Sequence, residues 1–132
     1  MASPLTVAPS QNVTFLGFPL ELESAGLGAD VAILGLPYGD PYSLDEVSND
    51  QTKAPAAVRR ASLRAMRGLE RWDFDLGGTL LDGQDVRLVD CGDVPGEARE
   101  LGRHYQNAER VVGNLLAAGV LPIIIGGDHG VP

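Results

Sequence analysis

The chain alternates between short apolar runs and longer stretches of helical periodicity. "VAILGLP", Val31 to Pro37, is an apolar run closed by Gly35 and Pro37, which predicts a first strand buried on both faces. After a polar loop, "APAAVRRASLRAMRGL" predicts a helix over Ala54–Leu69. Pro55 suits its first turn, and Val58, Ala61, Ala65 and Leu69 recur at 3, 4 and 4 residues along one face. That register sends Arg59, Arg60, Arg64 and Arg67 to the solvated outer face. "DVRLVDCGDV" predicts a second strand on Val86, Leu88 and Val89, with Asp90 and Asp93 at its carboxyl end. A second helix is expected from Ala98 to Ala118, where Leu101, Tyr105, Ala108, Val112 and Leu115 repeat at 4, 3, 4 and 3, and Gly119 stops it as a C-cap. "VLPIII" reads as a third, fully buried strand that delivers Gly126, Gly127, Asp128 and His129.

The order strand, helix, strand, helix, strand, with helical crossovers, implies parallel pairing and right-handed connections, hence an open α/β sheet. Ligands of such sheets sit at the carboxyl ends of the strands. The candidate positions are therefore Tyr38 to Asp40, Asp90 to Asp93, and Asp128 with His129. The loop from Tyr38 to Lys53 is long for a connection inside a compact domain, which marks it as a binding or lid segment. Carboxylates and an imidazole at strand tips suit a divalent ion such as manganese, zinc or iron. Asp90 and Asp93 have a second reading, as caps of backbone amides in a turn around Gly92. His104, inside the second helix, reads as a surface residue, and Cys91 between two acids as a poor thiolate.

Composition narrows the function classes. Eighteen Asp and Glu against ten Lys and Arg give the 132 residues a formal charge of −8, which disfavours nucleic acid and anionic membranes as partners and favours a cationic ligand. A single cysteine excludes an internal disulfide, no basic or long apolar leader opens the sequence, and no stretch reaches the length of a membrane span, so a cytoplasmic location is the expectation. The nucleophile elbow Gly-x-Ser-x-Gly and the phosphate loop Gly-x-x-x-x-Gly-Lys are absent. Gly26 and Gly28 precede the first strand, where a dinucleotide fingerprint would follow it.

Taken in order, "ILGLPYGD", "APAAVRRAS", "WDFDLGG", "VDCGDV" and "PIIIGGDHG" resemble the amino-terminal part of the ureohydrolase family, which includes arginase, agmatinase and guanidino-acid hydrolases. The resemblance runs from about Val31 onward, and the last block is its most specific part. It implies a three-layer α/β/α fold with a mostly parallel sheet, incomplete in this chain, with residues 1–30 as an N-terminal arm and 31–132 as the amino-terminal part of the domain. It also implies a binuclear manganese centre and hydrolysis of a small cationic guanidino substrate to urea and an amine, in a homo-oligomeric parent. His129 would ligate one metal and Asp128 would orient the site, with Tyr38, Asp40 and Asn49 as substrate-loop candidates. In that mechanism two metals share a hydroxide and so supply the strong nucleophile that a resonance-stabilised guanidinium carbon demands.

The chain departs from the family pattern in what it lacks. Neither the Asp-x-His-x-Asp block nor the Asp-x-Asp-x-x-Asp block that completes the metal centre is present, and Asp73-Phe74-Asp75 is followed by Gly78 where the latter needs its third aspartate. The expectation is an amino-terminal fragment of a manganese-dependent enzyme, inactive alone, with the third strand left as an unpaired edge. Gly130 follows His129 where serine is frequent, and Lys53-Ala54-Pro55 replaces a Gly-Pro pair, so the choice among agmatine, guanidinobutyrate and arginine stays open. A non-catalytic α/β binding module is the alternative, and a small nucleotide-binding domain a third reading.

Overall fold

The computed structural model describes residues 4–38, 50–95 and 101–127. Three strands form one parallel sheet: β1 (Val31–Gly35), β2 (Leu88–Asp93) and β3 (Leu121–Ile125), in the order β2-β1-β3. Two helices connect them, α1 (Asp50–Ser62), continued by a 3-10 turn over Leu63–Gly68, and α2 (Leu101–Ala117). Because β1 is central, the first crossover moves one way across the sheet and the second moves back. Right-handed crossovers then put α1 and α2 on opposite faces.

The burial pattern shows those two faces. Ala32, Leu34, Val89 and Cys91 point to one side, where they form the main core with Ala108, Val111 and Leu115 of α2. Ile33 and Asp90, a paired position, are buried on the opposite face, where Asp90 meets Arg59 of α1. This is the three-layer α/β/α arrangement expected of the sequence. Gly119 closes α2 with φ +74°, as its N–H bonds to the Leu116 carbonyl and that of Val120 to Leu115. The paired bonds are those of a Schellman cap.

Both helices differ from the sequence reading in register. α1 starts at Asp50 and Pro55 lies inside it rather than in its first turn. Its buried positions among the described side chains are Pro55 and Arg59, whereas Val58 is 39% exposed and Ala61 and Ala65 face solvent. An arginine on the inner face is invisible to apolar periodicity, which picks out the apolar stripe one position away. In α2 the buried set among the described side chains is His104, Ala108, Val111 and Leu115, and Tyr105 is 43% exposed. His104, read as a surface residue, is therefore part of the interior.

The sheet's two edges are unlike. Along the outer edge of β2 the segment before β1 supplies a covering strand-like partner: Asp90 N–H bonds to the Pro19 carbonyl, Glu21 N–H to the Asp90 carbonyl, and Val7 and Asp93 exchange both backbone bonds. β3 pairs only with β1 among the described residues, and Leu121 and Ile123 are 61% and 47% exposed. The reading of β3 as fully buried is thus not met, because nothing described lies beyond its free edge.

Candidate functional site

The carboxyl ends of β1, β2 and β3 lie side by side. Leu36 N–H bonds to the Ile125 carbonyl at 2.8 Å and Val94 N–H to the Gly35 carbonyl at 2.9 Å, which ties the three tips together. The register of β2 is irregular there: Ile33 pairs with Asp90, but Gly35 pairs with Asp93, so β2 carries one extra residue. Gly92 accommodates the bulge with φ +74°. In a regular strand Asp90 and Asp93, three residues apart, would point to opposite faces. The bulge turns both carboxylates toward α1.

Between them lies the guanidinium of Arg59, with no solvent exposure. Its Nε and Nη2 donate to the two oxygens of Asp90, each at 2.9 Å, its Nη1 donates to Asp93 at 2.5 Å, and Nη2 also reaches the Gly92 carbonyl at 3.0 Å. Asp90 Oδ1 further accepts the Gly92 N–H, and Oδ2 accepts the Phe15 N–H. Both oxygens of Asp90 are thereby occupied by two donors each. Burial would lower the Arg59 pKa, but the hydrogen bonds and charges of Asp90 and Asp93 outweigh it and hold the group above its ordinary value. A side chain at position 35 would collide with the Asp93 carboxylate and crowd Arg59, so Gly35 provides the room for the cluster.

This geometry decides between the two readings of Asp90. It caps a backbone amide, as one of them held, and spends its remaining capacity on Arg59. It has no lone pair free for a metal. Sequence reasoning missed Arg59 because a charged side chain in the interior breaks the hydrophobic pattern; the available signal was the pair of acids at one strand tip without a partner.

The other candidates are distributed as follows. Tyr38 is buried and stacked on His104, with ring centroids 5.4 Å apart and planes at 23°, and it also contacts Tyr105 at 5.4 Å. His104 Nδ1 lies 3.4 Å from the Pro95 carbonyl. The root of the long loop after β1 is thus fixed to α2. Asp40, Asn49, Asp128 and His129 lie outside the described residues. Cys91 is buried in the α2-facing core, and burial, with the charges of Asp90 and Glu21, pushes its thiol up to about 11. Among the described residues no three His, Cys, Asp or Glu side chains are grouped to hold a metal ion, and the acids at the β2 tip are engaged by Arg59. The described residues do not by themselves fit a manganese pair. No helix among them is long and apolar enough to cross a membrane.

A parallel α/β/α sheet with its conspicuous polar residues gathered at the strand tips defines a class of ligand-binding and catalytic domains. Comparison with known proteins makes this specific. The Arginase family model matches residues 29–132, and the chain belongs to that family. It is 34% identical to the agmatinase of Photorhabdus laumondii over 121 residues, covering 87% of this chain and 35% of that protein. It is 35% identical to the agmatinase of Sodalis glossinidius over 124 residues, covering 87% and 35%. With the agmatinase of Neisseria meningitidis serogroup C the figures are 31% over 125 residues, 91% and 37%. The chain spans about a third of the length of these curated relatives. Manganese dependence is general in the family, although the described residues hold no metal site.

Proposed function

We propose that this sequence is the amino-terminal portion of a cytoplasmic, agmatinase-like ureohydrolase that hydrolyses a small cationic guanidino compound to urea and an amine. The observation that carries the reading is the family match over residues 29–132 together with relatives named as agmatinases. In this proposal residues 1–30 are an arm and 31–132 the first part of the catalytic domain. The Arg59 cluster ties α1 and the arm to the β2 tip, and Tyr38, just after β1, is held against His104 of α2. His129 is the proposed manganese ligand and Asp128 its orienting neighbour, with Tyr38, Asp40 and Asn49 placed around the substrate. Manganese chemistry requires ligands beyond this sequence, since the Asp-x-His-x-Asp block is absent from it.

The reaction adds water to the guanidinium carbon and expels the amine once that nitrogen is protonated. A net charge of −8 assists the approach of a cation. The test is urea release from agmatine, 4-guanidinobutyrate and arginine in the presence of manganese, by the 132-residue chain and by the product of its complete reading frame. The expected result is no release above blank from the chain and manganese-dependent release from the complete product, with agmatine preferred. A complete product inactive on all three guanidines would favour the non-catalytic module, and efficient turnover by the short chain would show that the site needs nothing further.

A further inference from the structure

The segment before β1 holds a backbone outlier. Leu16 has φ 51° and ψ 23°, and Gly17 after it has φ +70°, so both central residues of the turn Phe15–Phe18 are left-handed. Phe18 N–H closes the turn on the Phe15 carbonyl at 3.0 Å, and the two phenyl rings pack edge to face with centroids 6.0 Å apart. A type I′ turn of this kind favours Asn-Gly or Gly-Gly. Gly17 meets that demand, and a Cβ there would also lie 2.6 Å from Met66 Cε in the 3-10 continuation of α1. Leu16 does not meet it: the left-handed region is disfavoured for such a residue by roughly 5- to 30-fold. Strain of this sort persists only where the surrounding structure imposes it.

Two side chains impose it here. Phe15 N–H donates to Asp90 Oδ2 and Leu16 N–H to Ser62 Oγ, each at 2.8 Å. Both acceptors are held by Arg59. Asp90 Oδ2 also accepts Arg59 Nε at 2.9 Å, and Ser62 Oγ donates to the Arg59 carbonyl at 2.6 Å. On either side of the turn the same segment is bonded to β2: Glu21 N–H to the Asp90 carbonyl, Asp90 N–H to the Pro19 carbonyl, and Val7 with Asp93 in both directions. Thr6 Oγ1 donates to the Leu22 carbonyl at 3.0 Å and joins the two passes of the segment. The attachments of residues 6–22 thus converge on Asp90, Asp93 and Ser62, and one guanidinium orients both carboxylates.

Departure of the segment strips the Phe15 N–H from Asp90 and admits water to a buried ion pair. Departure of Arg59 leaves Asp90 and Ser62 without the bonds that aim them at the turn. We propose that residues 6–22 are a strained strap that opens as one unit with the Arg59 cluster, short of global unfolding, and so uncovers the outer edge of β2 up to its carboxyl end. The left-handed backbone of Leu16 favours opening, and the acceptors on Asp90 and Ser62 oppose it. That balance places the strap among the less stable cooperative units of the fold, below the core that α2 makes with the sheet.

The test is amide hydrogen exchange in the product of the complete reading frame, read at single amides by mass spectrometry. In the unmodified protein Phe15, Glu21 and Asp90 should share one protection factor, at least ~10-fold below those of Val111 and Leu115 in α2. Ser62→Ala removes one acceptor and should lower all three together by about 2- to 10-fold, with Val111 and Leu115 unchanged. Leu16→Gly and Leu16→Ala both delete the leucine contacts, but only the first relieves the left-handed backbone. Leu16→Gly should therefore leave the three amides at least ~3-fold better protected than Leu16→Ala does. This pair tests the strain independently of Ser62. Strap amides as protected as those of α2, a Ser62→Ala effect confined to Leu16, or equal protection in the two Leu16 variants would each overturn the proposal.

Discussion

Arg59→Met is the most informative single substitution. It keeps a long side chain in the same space but removes the only cation among the described residues in contact with Asp90, which has no solvent exposure, and with Asp93. Three of the donors that satisfy these carboxylates disappear at once, together with the bond to the Gly92 carbonyl. Breaking a buried pair from one side leaves an uncompensated charge and costs about 3–5 kcal/mol. Domains are stable by only about 5–15 kcal/mol, so the variant should lose a large part of its stability. Arg59→Lys keeps the charge without the planar fork and should fall between the two, at about 1–3 kcal/mol. The assay is urea unfolding followed by far-ultraviolet circular dichroism, with Arg60→Met as the exposed neighbour control. Adding Asp90→Asn to Arg59→Met should recover part of the loss, because the buried charge goes with its partner. A loss below about 1 kcal/mol, or one equal to that of the Arg60 control, would refute the claim that this cluster locks α1 to the β2 tip.

Other positions make separate predictions. Gly92→Ala places a Cβ against the Val7 carbonyl at a residue with φ +74°, and should release the arm, seen as faster hydrogen exchange at the Val7 and Asp93 amides. Cys91 should resist thiol reagents at pH 8 in the native chain and react at once in denaturant. Its raised pKa keeps it protonated in the folded state after the unfolded thiol has ionised, so stability should fall as pH rises above about 9 and keep falling toward 11. His104→Ala removes the ring stacked on Tyr38 and should cost about 1–3 kcal/mol by the same unfolding assay, with less effect from Tyr105→Ala at its more exposed position.

The strands and their alternation with helices along the chain were legible because β-branched runs bounded by Gly and Pro leave few alternatives, and the parallel pairing followed from the crossovers; the sheet order β2-β1-β3 was not. The helices' existence was legible and their faces were not. In α1 the residue that faces the sheet is Arg59, which only the acids at the β2 tip make tolerable there. In α2 the inner face includes His104, which stacks on Tyr38, 66 positions earlier in the chain. The shared orientation of Asp90 and Asp93 was hidden for another reason: strand periodicity separates them, and only a bulge at Gly92 brings them together. The Gly-Gly-Asp-His block was the clearest chemical signal in the sequence, and its Asp128 and His129 lie outside the described residues.

We propose that this sequence is part of a manganese ureohydrolase and that His129 contributes to its metal centre. The most direct measurement is manganese per subunit together with urea release from agmatine, in the complete protein and in its His129→Ala variant. The variant should show reduced manganese content and urea release lowered by at least ~10-fold, since loss of a ligand should exceed the effect of losing an outer-shell partner. Unchanged metal content with unchanged turnover would contradict it.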